Sequence, residues 1–128
     1  MAGYSTTLRN AKLDAITTAV GNAGVLTIYN GSRPATGGTA TTALVAFTMG
    51  SPFAAASSAG VLTITAPSAT PAVASGTATW ARLATSGSTF VADFSVGTSG
   101  SEINLNSTAL TVSVNVTITS ATITDGNP

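Results

Sequence analysis

The stretch "LTVSVNVTITSATIT", residues 110–124, keeps one rule and then breaks it. Apolar residues stand at 110, 112, 114, 116 and 118, with polar ones between them. After Ile118 the next apolar positions are Ala121 and Ile123. Alternation with a period of two marks a β-strand with one face buried and the other not. A slip of one residue exchanges the faces. Chains accommodate it with a bulge or a bend, which lets a strand pass from one sheet to another. The reading places that bulge at Thr119–Ala121. The opposite side, Thr111, Ser113, Asn115 and Thr117, is uncharged and β-prone, and such a face invites edge pairing unless something covers it. A neighbouring subunit is a natural cover.

The β pattern extends back to Gly24. "VLTIYNG" (25–31) is a β-branched and aromatic run closed by an Asn-Gly turn signal. "LVAFTM" (44–49), "VLTIT" (61–65) and "SEINLNS" (101–107) read as further short strands, separated by Thr-, Gly- and Pro-rich loops. "AGVLTI" occurs at 23–28 and again at 59–64, but the likeness stops at both flanks. It reads as convergence on a strand start rather than a duplication. "GTATWARLATSGSTFVADFSVG" (76–97) is a hairpin turning at Ser86-Gly87. In that register Leu83 faces Phe90 and Ala81 faces Ala92. The other face sets Trp80 opposite Asp93 and Arg82 opposite Val91, so Arg82 and Asp93 are diagonal neighbours, about 7–8 Å apart. That Arg–Asp pair beside Trp80 is either a contact patch or a surface ion pair whose stem the tryptophan covers.

About seven short strands predict a mainly β fold, an antiparallel β-sandwich or jelly-roll-like domain over 25–128. The first segment, 1–24, differs. In "STTLRNAKLDAITTAVGNAG" (5–24), Leu8, Ala11, Ala15 and Ala19 fall near one stripe, with Leu13, Ile16 and Val20 beside it. Arg9, Lys12 and Asp14 take the other side. Ser5 or Thr6 suits the start of this α-helix, and Gly21 or Gly24 its end. It is read as a lid on the β core or an arm that docks on a partner.

Composition narrows the function. Only 6% of the 128 residues are charged, against about 25% in an ordinary soluble domain, and the net charge is zero. Little repulsion then keeps copies apart. The four bases and four acids are too few and too scattered for a nucleic-acid footprint. Without histidine or cysteine there is no Ser-His or Cys-His nucleophile, no imidazole or thiolate metal site and no disulfide. The single lysine has no Walker setting, and "DGN" (125–127) alone does not make a calcium loop. Asp93 and Glu102 carry no glycosidase signature beyond being two acids. No run is long enough to span a bilayer, and the N-terminus lacks a signal-peptide pattern. Asn30, Asn106 and Asn115 lie in sequons that would matter only in a eukaryotic secretory route. The expectation is a non-enzyme without cofactor or metal, and without nucleic-acid or membrane partners.

"GTATWARL", "DFSVGTSGSEINLN" and "VTITSATIT" together carry a resemblance. The chain resembles a family of small Thr/Ala-rich proteins of tailed bacteriophages and prophages, encoded among virion structural genes. Family members show a "YDG"-like strand end, a central "PAF", "GTATW-R", an aspartate strand ending "SVG", an acidic-hydrophobic-Asn-Leu-Asn strand and a last "V-ITS-TIT". The matching positions here are Tyr29 to Gly31, Ser51 to Phe53, Gly76 to Arg82, Asp93 to Gly97, Glu102 to Asn106 and Val116 to Thr124. The first two differ from the usual form. The likeness spans roughly residues 25–124 and covers the N-terminal helix least. It implies a virion component, a capsid decoration (cement) protein on the outside of the major capsid protein lattice. Such a protein would be made in the host cytoplasm and would self-associate as a homo-oligomer. The alternatives are a tail, neck or fibre-associated module, and a binding domain outside the virion. Candidate interface residues are Leu8, Arg9, Lys12, Arg33, Trp80, Arg82 and Asp93, with loops 32–43, 50–60 and 67–75.

Overall fold

The structure is a computed structural model and describes residues 2–125. Of the "DGN" run only Asp125 falls within them. In chain order the elements are α1 (Thr6–Val20), β1 (Val25–Tyr29), β2 (Ala43–Thr48), β3 (Val61–Thr63), β4 (Thr70–Pro71), β5 (Gly76–Thr77), β6 (Trp80–Ala84), β7 (Phe90–Gly97), β8 (Ile103–Leu105), β9 (Ala109–Leu110), β10 (Asn115–Val116) and β11 (Ile118–Thr124). Seven of them form one sheet in the order β2-β1-β6-β7-β8-β11-β3. The pairs β10-β4 and β5-β9 form two small sheets. Ala72, Leu110 and Val116, on or beside these small sheets, join the same core as Leu26, Phe47, Leu83, Phe94 and Ile103 of the main sheet. The fold is mainly β and β-sandwich-like, with one helix. Among the described residues no helix is long and apolar enough to cross a membrane.

The main sheet is mixed, not purely antiparallel. Val96 pairs with Ile103 and Gly97 with Asn104 in parallel. Parallel neighbours ordinarily need a long crossover. Here residues 98–102 suffice, because the pairing is short and Glu102 folds the loop back. Its carboxylate accepts from the Ser95 amide (3.0 Å) and hydroxyl (2.8 Å).

The slip in the C-terminal stretch is a bulge. Ile118 pairs with Leu105, but Ser120 pairs with Asn104, so one residue is extra between them. Beyond it, β11 pairs with β3 through Thr122, Ile123 and Thr124. The stretch is nevertheless not one strand. The chain turns at 111–114, where Ser113 adopts φ 69 and the Val114 amide donates to the Thr111 carbonyl (3.1 Å). Leu110, Val116 and Ile118 are buried, whereas Val112 and Val114 are half exposed. Docking on residues 72–75 overrides their alternation: Ser113 donates to the Ala72 carbonyl, and Val112 to the Ser75 hydroxyl.

The β6–β7 hairpin also departs from its simplest register. Arg82 faces Asp93 directly, and Leu83 faces Ala92. The turn at Ser86-Gly87 stands, but two one-residue offsets follow it. Thr85 exchanges bonds with both Ser88 and Thr89, with Ser88 at φ 70, and a second shift lies between Leu83 and Ala84. Two odd shifts restore parity. Outside the stretch between them each side chain stays on its expected face while its cross-strand partner moves by two; between them the faces are exchanged, so Phe90, opposite Ala84, lies beside Arg82 on the outer face and Val91 packs on the core.

Helix α1 begins at Ser5, whose hydroxyl accepts from the Leu8 amide (3.2 Å), and ends at Gly21 with φ 69. Its inward face is only part of the expected apolar side. Leu13 and Val20 are buried and Ile16 packs on the core, while Leu8, Ala11, Ala15 and Ala19 face solvent. The larger side chains outweigh alanines, whose burial removes little surface. Polar docking adds to this. Asn10 accepts from the Gly60 amide (2.9 Å) and Asp14 from the Ser57 amide (2.8 Å). Arg9 donates to the Asp125 carbonyl (3.0 Å). Arg9 and Asp14 thus belong to the docked side of the helix.

Both copies of "AGVLTI" start a strand in the same way. Ala23 and Ala59 sit at φ 56 and 53, and each following strand buries its Leu and Ile. The likeness is a shared way of entering the sheet.

Candidate contact surface

The candidate residues fall into two groups. Leu8, Arg9 and Lys12 lie on α1, and Arg33, Trp80, Arg82 and Asp93 lie together on the outer face of the main sheet. No hydrogen bond or ion pair joins the two groups among the described residues.

On the sheet, alternation puts Ala81 and Leu83 inward and Trp80 and Arg82 outward. The outward face is covered, because the long β1–β2 connection folds back over it. Trp80 is fully buried outside the main core cluster. Its ring stacks on Tyr29 at 4.4 Å, and its Nε1–H donates to the Asn30 carbonyl (3.2 Å) and Thr41 hydroxyl (3.0 Å). Arg82 lies between the Trp80 and Phe90 rings, 5.2 Å from each centroid. It grips Asp93 with two bonds, Nε to Oδ1 at 2.7 Å and Nη2 to Oδ2 at 3.1 Å. Asp93 Oδ2 also accepts from the Gly37 amide (3.1 Å), and Arg33 donates to the Asp93 carbonyl (3.1 Å).

This overturns the surface reading of the pair. The Asp93 side chain has no exposure and that of Arg82 only 17%. Trp80 and Asp93 are buried and hold the 31–42 loop, whose residues are mostly exposed. Burial pushes the Asp93 carboxyl up, but bonds from Arg82 and Gly37, with the charges of Arg82 and Arg33, outweigh it and leave it below its ordinary value. The bond to Asp93 raises Arg82 against an opposing effect of burial.

On the helix, Lys12 pairs with the Asp125 carboxylate at 2.8 Å and lies over the Tyr4 ring at 4.2 Å. Leu8 is 45% exposed, so of this group it is the apolar residue open to a neighbour. Sequence reasoning did not single out Tyr29, Gly37, Phe90, Asn10, Ser57 or Asp125 as parts of either cluster. The Gly37-Gly38 pair in a long loop was the available sign that the loop makes a close approach.

All four basic and all four acidic side chains are engaged within the chain. Besides the pairs above, Asp14 holds Ser57 and Glu102 holds Ser95. Among the described residues, no three acidic, histidine or cysteine side chains gather to hold a metal ion. A polar groove of 440 Å³ lies along Gly100–Glu102, Asn104 and Thr122–Thr124. Val73, Val112 and Val114, exposed by 71%, 50% and 56%, gather where the 111–114 turn docks on 72–75. The surface on offer is hydroxyl, methyl and backbone. Comparison with protein-family models, with curated proteins and with solved structures finds no match to this chain.

Proposed function

We propose that this protein is a structural component of a tailed-phage virion, a capsid decoration protein that binds and stabilises the major capsid protein shell. The observation that carries the reading is the internal use of every charged side chain. No acid or base is left over to steer a charged substrate or to move a proton. What remains outward is a broad Thr/Ser/Ala surface with exposed loops, suited to repeated uncharged contact in a symmetric assembly. The resemblance of residues 25–124 to virion proteins supplies the setting, and the role is contact without catalysis. The protein acts by bridging neighbouring capsomers through its loops, with the 31–42 loop held rigid from beneath by Asp93.

Cryo-electron microscopy of intact particles tests this. The expected result is many symmetric copies on the outside of the shell. A few copies at the tail would replace the reading with a tail-associated module. Absence from purified particles would move the protein outside the virion.

A further inference from the structure

The β1–β2 connection is fastened at its two ends and at one point along its length. At the ends, the Asn30 amide donates to the Thr42 carbonyl (3.2 Å), the Thr42 amide to Asn30 Oδ1 (3.2 Å) and the Thr79 hydroxyl to the Gly31 carbonyl. The Thr41 hydroxyl donates to the Asn30 carbonyl and accepts from Trp80. These bonds close the base of the loop. Along residues 32–40 the attachment is thin. Among the described residues, two hydrogen bonds tie this stretch to the sheet, and both end on residue 93. The Gly37 amide donates to its Oδ2, and the Arg33 guanidinium to its carbonyl. A further bond, from the Gly38 amide to the Ala35 carbonyl (2.7 Å), is internal and travels with the stretch. None of residues 31–42 is buried, and none from 29 to 43 joins the core.

We propose that residues 32–40 form a flap that opens as a unit on the Asn30–Thr42 base, with Asp93 as its latch, while the base and the sheet stay shut. Local opening is cheap where few bonds break and little apolar surface is uncovered. The flap meets both conditions, since the core passes from Ile28 to Leu44 without it. Opening exchanges two hydrogen bonds for bonds to water, a small net loss. The base is different. It bonds the buried Trp80 through Thr41, so lifting it would uncover the stacked Tyr29–Trp80 pair. Gly31 (φ 73) stands where the flap leaves the base and Gly37 (φ 74) at the latch, and glycine leaves the backbone free to change conformation at both points. Opening wets the Asp93 carboxylate on the side of Gly37 and leaves its two bonds to Arg82 in place. The consequence is a contact loop that can be reshaped by whatever engages it without disturbing the sheet.

The inference is independent of the virion reading, because the isolated chain tests it. The experiment is native-state hydrogen exchange, followed by NMR across a series of sub-denaturing urea concentrations, which separates local from global opening. The Gly37 amide is expected to be protected, yet to exchange at least about a hundredfold faster than the β6 and β7 amides. Its rate should respond little to urea, because the flap uncovers little surface. The Asn30 and Thr42 amides should exchange more slowly than Gly37 by about tenfold or more. Arg33→Ala removes one latch bond by changing an exposed side chain. It should speed Gly37 exchange about threefold to tenfold and leave the Thr42 and β6 rates unchanged. A Gly37 amide with no protection, one that opens together with Thr42 or with the β-strands, or one indifferent to Arg33→Ala overturns the proposal.

Discussion

Asp93 is the residue on which one side of the molecule depends. A buried carboxylate is tolerable only with partners, and this one has Arg82, Gly37 and, through its carbonyl, Arg33. Asp93→Ala strands the Arg82 guanidinium between two rings and frees the Gly37 amide. The expected loss is about 3–5 kcal/mol in urea unfolding at neutral pH. The pH dependence has a definite sign. The folded-state pKa lies below the unfolded one, so the contribution is complete above about pH 4 and drains away as pH falls through the folded value. Asp93→Asn should flatten the stability profile between neutrality and pH 3; an unchanged acid limb would refute the account. Trp80 reports on the same place. Its emission should be blue-shifted in the native chain, and red-shifted if the 31–42 loop lifts away. Partial access was legible beforehand, since alternation put Trp80, Arg82 and Asp93 on one face. Their burial was not, because the cover is a loop, and no periodicity tells where twelve Gly-, Thr- and Ala-rich residues will lie.

At the scale of elements, the sequence was most informative where one face is buried and the other wet. The bulge at Thr119–Ser120 was visible because a phase slip in a half-buried strand has few other solutions. The hairpin kept most of its faces but not its partners, because two compensating offsets leave no mark on alternation beyond them; only Phe90 and Val91, between the offsets, changed sides. The turn at 111–114 was hidden in a stretch whose pattern fits a strand, and local docking on residues 72–75 decided it. Helix α1 shows a different failure: alanine counts as apolar in a stripe but adds little on burial. That distinction is measurable. Leu13→Ala should cost about 2–4 kcal/mol and Leu8→Ala less than about 0.5 kcal/mol, read from thermal or urea unfolding. Equal costs would restore the Leu8 stripe to the core. Lys12→Ala should cost under about 1 kcal/mol, because the Asp125 pair is partly open to water.

At the scale of the whole molecule, the few charges have become internal fasteners. They tie α1 to the 57–60 turn and Asp125, the 31–42 loop to Asp93, and the β7–β8 loop to Ser95. This separates the protein's stability from its associations. Stability should respond to acid through Asp93, whereas contacts with other molecules should hardly respond to salt. Ionic strength weakens association by screening exposed charges across an interface within about a Debye length. An interface of hydroxyls, methyls and backbone groups gives salt little to screen, and excluded salts such as sulfate strengthen apolar burial. Under the proposed virion function, binding of the isolated chain to stripped particles should therefore change less than about threefold between low and moderate sodium chloride, and should strengthen in ammonium sulfate. Co-sedimentation across a salt series measures both. A steep fall with sodium chloride would mean that an ion pair opens on docking and a fastener residue is handed to the partner. Lys12 is the first to examine, as its side chain is 43% exposed while already paired. In that outcome Lys12→Met would abolish the salt dependence, and the separation between internal charge and external contact would fail at α1 alone.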